Sequence, residues 1–77
     1  MKNVEKIVIG LIAEHLHQDP SKIGLDDQFG IDIKLDSVDV ITLIIACEEK
    51  FGIGIGDEEV EKFLTPRHAI VYIQSLL

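Results

Sequence analysis

Cys47 is the only cysteine in this chain of 77 residues. No disulfide can staple the chain from within, and a reducing, cytoplasmic setting is the simpler expectation. Basic residues are scarce: 7 stand against 14 acidic ones, and the net charge is −7. That balance excludes a nucleic-acid binder, which needs basic surface. It also steers the chain toward basic partners. No apolar run reaches membrane-spanning length, so no membrane span is expected. The start, Met1-Lys2-Asn3-Val4-Glu5-Lys6, meets charge too early for a signal peptide. No internal repeat, low-complexity tract or linker is visible, so one domain is expected over 1–77. A core this small is marginal. Even so, 47% of the residues are hydrophobic, enough to fold.

What is present reads as helices. Val4, Ile7, Val8, Leu11 and Ile12 follow the amphipathic helical spacing. Asn3 suits the N-cap and Pro20 forbids continuation, which predicts a first helix over 4–17. A long connection follows over 18–36, with Asp19-Pro20, Asp26-Asp27 and Gly30. Loops of this length are uncommon and often functional. Ile23, Leu25, Phe29, Ile31 and Ile33 give it enough apolar content to pack over a core. A rival reading pairs a strand over 29–35 with Ile53 and Ile55. Dense glycine and the weakness of an isolated two-stranded pair favour the loop.

The second helix is expected over 37–51, ending before Gly52. Stepping 100° per residue places Asp39, Thr42, Ala46, Glu49 and Lys50 on a mostly polar arc. Leu43, Cys47, Val40 and Phe51 centre the apolar arc. Ile44, Ile41, Ile45 and Val38 carry that arc much further round, and Glu48 falls inside the extension. A carboxylate there should not be fully buried. The edge with Val38, Ile41 and Ile45 is therefore expected to be partly exposed, either as contact with the loop or as a docking strip edged by acids. Asp57 is expected to cap a short third helix over Glu58 to Leu64. Thr65 and Pro66 suit the N-cap and first position of a last helix. Ala69, Ile70, Ile73, Leu76 and Leu77 form its apolar face.

Several chemistries fail on spacing. His15 and His17 are two residues apart and share no helix face, so they make no metal pair. Cys47 lies mid-stripe and reads as core. Asp26-Asp27-Gln28-Phe29-Gly30 lacks the alternating acids of an EF-hand, which leaves only a weak association of divalent ions with the loop acids open. Ser37 has no neighbouring histidine or lysine to act as a base. Framed by Asp36 and Asp39, it reads as a helix N-cap, or as a hydroxyl placed where a phosphate ester is favoured.

Nearly the whole chain resembles the acyl carrier protein family. The resemblance rests on Phe29-Gly30-Ile31-Asp32-Ile33-Lys34-Leu35-Asp36-Ser37-Val38-Asp39 and on Glu48-Glu49-Lys50-Phe51-Gly52-Ile53. The acidic run from Asp57 to Lys62 and the last helix also fit. The family motif is aspartate-serine-leucine at the second helix, and its serine carries 4′-phosphopantetheine. That serine maps onto Ser37, beside Asp36. Asp36 and Asp39 map onto acids that face basic residues of the transferase and partner enzymes. Three positions depart from the pattern. Lys34 stands where the family usually has glycine, Val38 replaces leucine, and Thr42 replaces a glutamate common in fatty-acid carriers. A specialised carrier is as well supported as a general fatty-acid one.

The resemblance implies an all-α fold: a small four-helix bundle with three longer helices, a short third helix and a long loop between the first two. It implies a monomeric carrier rather than an enzyme. A phosphopantetheinyl transferase would load the arm from coenzyme A onto Ser37. Enzymes with basic patches would then dock on Val38, Asp39, Ile41, Ile45, Glu48 and Glu49. The alternatives are an aminoacyl or peptidyl carrier, and an unmodified helical module binding through Val38, Ile41 and Ile45.

Overall fold

The computed structural model describes residues 3–77. Met1 and Lys2, part of the charged start read against a signal peptide, lie outside the described residues. Among the described residues the fold has four α-helices and no strand, as the all-α expectation required. The first helix, α1, spans Val4–Leu16. The Asn3 side chain caps it by accepting from the Lys6 N–H at 3.0 Å. It stops one residue short of the expected end because His17 takes a left-handed conformation, φ 56°. Gln18 N–H then reaches back to the Ala13 carbonyl at 2.9 Å and closes the helix end.

The connection to the next helix has little regular structure beyond one 3-10 turn, Pro20–Lys22. A single bridge between Phe29 and Ile33 is all that remains of the strand reading. Gly30, at φ 86°, lets the chain double back so that its N–H meets the Ile33 carbonyl at 2.7 Å. Ile33 and Leu35 are buried, whereas Ile31 is 72% exposed and adds nothing to the core. Two backbone bonds of 2.9 Å lash this loop to the far end of the chain: Phe29 N–H to Leu64 O, and Arg67 N–H to Leu25 O.

Helix α2 spans Ser37–Phe51 and stops at Gly52, φ 66°, as its sequence predicts. Its cap differs from expectation. Asp36 is the N-cap, and Ser37 is the first helical residue. The Asp36 carboxylate accepts from the Asp39 N–H at 2.8 Å, and the Asp39 carboxylate accepts from the Asp36 N–H at 3.2 Å. This reciprocal pair satisfies two amide donors at the helix start and places negative charge at the positive end of the helix dipole, which a neutral serine hydroxyl cannot do.

Helix α3 is a single turn, Asp57–Val60, shorter than expected. Gly56 occupies its cap without a side-chain bond, and Asp57 is its first residue rather than its cap. After Val60 the bonds tighten, with Lys62 N–H on the Glu59 carbonyl at 2.9 Å and Phe63 N–H on the Val60 carbonyl at 3.1 Å, and this turn brings Phe63 into the core. Helix α4 spans Pro66–Leu76, with the Thr65 hydroxyl accepting from the His68 N–H at 3.2 Å. Ala69, Ile70 and Ile73 are buried as predicted. Leu76 and Leu77 are exposed, because the apolar face outruns the core at the last turn.

Helix α1 packs against both α2 and α4. Val8, Ile12, Leu43, Ile44, Cys47, Phe51, Phe63, Ile70 and Ile73 form the heart of the core. Burial pushes the Cys47 thiol up to about 11, with the neighbouring Glu48 charge adding to the effect. Cys47 is therefore an inert packing residue.

Candidate functional site

The capping pair at the start of α2 fixes where Ser37 stands. Asp36 and Asp39 lock the first turn, and buried Leu35 anchors the chain just before it. Ser37 lies exposed at the first helical position. Among the described residues nothing takes a hydrogen bond from its hydroxyl or from the backbone N–H groups of Ser37 and Val38. Two open N–H groups at the positive end of a helix suit an oxygen that bears a phosphodiester. Beside Ser37 runs an open groove of about 380 Å³, lined among others by Phe29, Leu35, Ile41, Phe63 and Leu64. Its far wall is the segment between α3 and α4.

The apolar edge of α2 emerges as its helical phase requires. Val38 is 68% exposed, Ile41 48% and Ile45 49%, whereas Ile44 on the same extension is buried. Leu64 is 66% exposed across the groove. Sequence reasoning did not single out Leu64, because it ends a segment read there as helix.

The four acids expected to face a partner divide into two kinds. Glu49 is exposed, and Asp36 uses one carboxylate oxygen in the cap. Asp39 uses both: Oδ2 accepts from the Asp36 N–H, and Oδ1 accepts from His15 Nε2 at 3.1 Å. These bonds hold the Asp39 carboxyl below the usual range, the Asp36 amide first and the His15 ring second. A carboxylate only accepts, so the proton lies on His15 Nε2. Glu48 is half-buried, and its carboxylate accepts from the Ile55 N–H at 2.8 Å. The sequence showed of His15 only that it forms no metal pair with His17, and this contact spans 24 residues and has no local signature.

The loop acids also have partners of their own. Asp26 pairs with Arg67, Asp27 accepts from the Gly24 N–H, and Asp32 accepts from the Gln28 N–H. Among the described residues no group of three or more histidines, cysteines or acids is placed to hold a metal ion.

Comparison with known proteins decides the family. Residues 6–73 match the family model described as the phosphopantetheine attachment site. The chain belongs to the acyl carrier protein family. The acyl carrier protein of Rickettsia canadensis is 41% identical over 72 residues, covering 94% of this chain and 84% of that protein. The acyl carrier proteins of Rickettsia massiliae and Rickettsia rickettsii match to the same extent. The cofactor of the acyl carrier domain is thus phosphopantetheine, and the exposed Ser37 oxygen at the open helix start fits a phosphate-linked arm. Acyl carrier proteins are carriers that work with partner enzymes. Among the described residues no helix is long and apolar enough to cross a membrane.

Proposed function

We propose that residues 1–77 form one acyl carrier domain, that Ser37 carries the 4′-phosphopantetheine arm, and that the chain presents acyl groups to partner enzymes without catalysing their chemistry itself. The observation that carries this reading is the Ser37 hydroxyl, exposed and without a partner among the described residues at the open start of α2. Asp36 and Asp39 hold the backbone of that turn, so an incoming transferase meets Ser37 at a set place on the helix start. Among the described residues no histidine or lysine bonds Ser37, so the transferase supplies the base that takes its proton. The arm supplies a thiol that holds acyl groups as thioesters.

An acyl chain would find apolar shelter inside the bundle. The interior void lined by Val8, Leu11, Phe29, Val40 and Leu43 measures only about 20 Å³. That is room for about one water. Helices α1 and α2 must therefore part to admit an alkyl chain, and burial of apolar surface drives its entry. Enzymes with basic patches dock along Val38, Ile41 and Ile45, steered by Asp36 and Glu49, with Asp39 and Glu48 behind them. Thr42, uncharged and exposed, weakens that steering and favours a carrier dedicated to one pathway. The single buried thiol supports a reducing, cytoplasmic setting.

Intact mass tests the proposal. Incubated with coenzyme A and a broad-range phosphopantetheinyl transferase, the wild type gains one arm and Ser37→Ala gains none. An unchanged wild-type mass with several such transferases overturns it, and leaves an unmodified module that binds through the Val38, Ile41 and Ile45 strip.

A further inference from the structure

Asp39 stands two residues from Ser37 on the helix that partners are proposed to grip, yet both of its oxygens are engaged within the chain. Asp36 N–H holds Oδ2 at 3.2 Å, and His15 Nε2 holds Oδ1 at 3.1 Å. The His15 bond comes from another helix. His15 lies in the last turn of α1, and its side chain reaches across to the first turn of α2. Both side chains are about a third exposed, so the contact sits at the rim, where a docking enzyme would meet it. Below it opens a groove of about 450 Å³ between the two helices, lined by Glu14, His15, His17 and Thr42. Thr42 adds no charge, so Asp39 is the acid of α2 closest to this rim.

We propose that His15 is a specificity-determining residue for docking: it withholds Asp39 from the basic patch of a partner. This rests on the carrier reading above. A partner's lysine or arginine meets at Asp39 an anion already satisfied by two donors, and gains less by pairing with it than with Asp36 or Glu49. Partners whose basic groups target Asp36 and Glu49 are favoured over those that need Asp39. Specificity of this kind is a difference in affinity set by an internal competitor. Glu14 and His17 share the groove from α1, and Asp36 stands beside Asp39 in the cap of α2.

Removing the ring should release the acid. The apo chain, coenzyme A and a broad-range phosphopantetheinyl transferase serve as the probe. His15→Ala is expected to lower the KM for the apo chain severalfold, with kcat little changed, and to steepen the salt dependence of kcat/KM. Asp39→Asn should abolish that gain in the His15→Ala background. His15→Gln, whose amide keeps a donor, should restore the wild-type KM. Circular dichroism confirms that each variant is folded. Carbon-detected NMR supplies a readout independent of loading: the Asp39 carboxyl should titrate at higher pH in His15→Ala than in wild type. A wild type that takes no arm overturns the carrier reading and this inference with it. A wild type that loads normally, while folded His15→Ala shows the same KM and salt slope, overturns this inference alone.

Discussion

The Glu48 carboxylate accepts a 2.8 Å hydrogen bond from the backbone N–H of buried Ile55. This single bond explains how an acid survives inside the apolar extension of α2. It also ties the end of that helix to the loop before α3.

Glu48→Ala leaves the Ile55 N–H without its acceptor. An orphaned buried donor costs about 1–3 kcal/mol. In a domain of this size each kcal/mol lowers the melting temperature by about 4–8 °C. Glu48→Gln keeps an acceptor oxygen in place and should lose much less. Thermal melts followed by circular dichroism check this. Equal losses for the two variants would show that the charge, and not the bond, holds the loop.

Acid should act on the fold through its paired aspartates. Arg67 grips Asp26 through Nε at 2.7 Å and Nη2 at 3.2 Å, and this holds the Asp26 carboxyl below its usual range. Asp39 is lowered by Asp36 and His15 in the same direction. A group whose pKa is lower in the folded chain stabilises the fold above its unfolded value, near 3.8 for aspartate. That contribution is lost as pH falls through the lowered folded value. The melting temperature should therefore fall progressively as the solution is taken well below pH 4. Asp26→Asn should flatten that acid limb, and high salt should narrow the difference, since the pair is exposed. An unchanged acid limb in Asp26→Asn would mean that the pair contributes nothing to the fold.

Helix starts and stops were legible where one residue type suited only one role. Asn3, Gly52 and the Thr65-Pro66 pair marked boundaries that the structure keeps within a residue. Asp36 and Ser37 are both good caps in adjacent positions. Composition cannot separate them, and the reciprocal bond to Asp39 decides for Asp36. The length of α3 was overread because its acids suit a helix start but say nothing of its end, where the chain tightens into i→i−3 turns that bury Phe63. Helical phase alone exposed the strip of Val38, Ile41 and Ile45. The contacts of His15 with Asp39 and of Glu48 with Ile55 join segments whose approach only the tertiary fold sets, so no local pattern announced them.

The exposed strip yields the most direct test of docking. Ile41 is 48% exposed and lines the groove beside Ser37. Its truncation opens no enclosed core cavity, so Ile41→Ala should shift stability by no more than about 0.5–1 kcal/mol. Leu43, one face inward and buried, is the contrast: Leu43→Ala should cost about 2–5 kcal/mol. In acyl transfer to a partner enzyme, Ile41→Ala should shorten the residence time of the complex, because lost apolar contact acts mainly on dissociation. Glu49→Lys should instead slow association and flatten its salt dependence. Stopped-flow binding resolves the two rates. If Ile41→Ala unfolds the chain and Glu49→Lys leaves every partner rate unchanged, Ile41 belongs to the core and partners dock on another face.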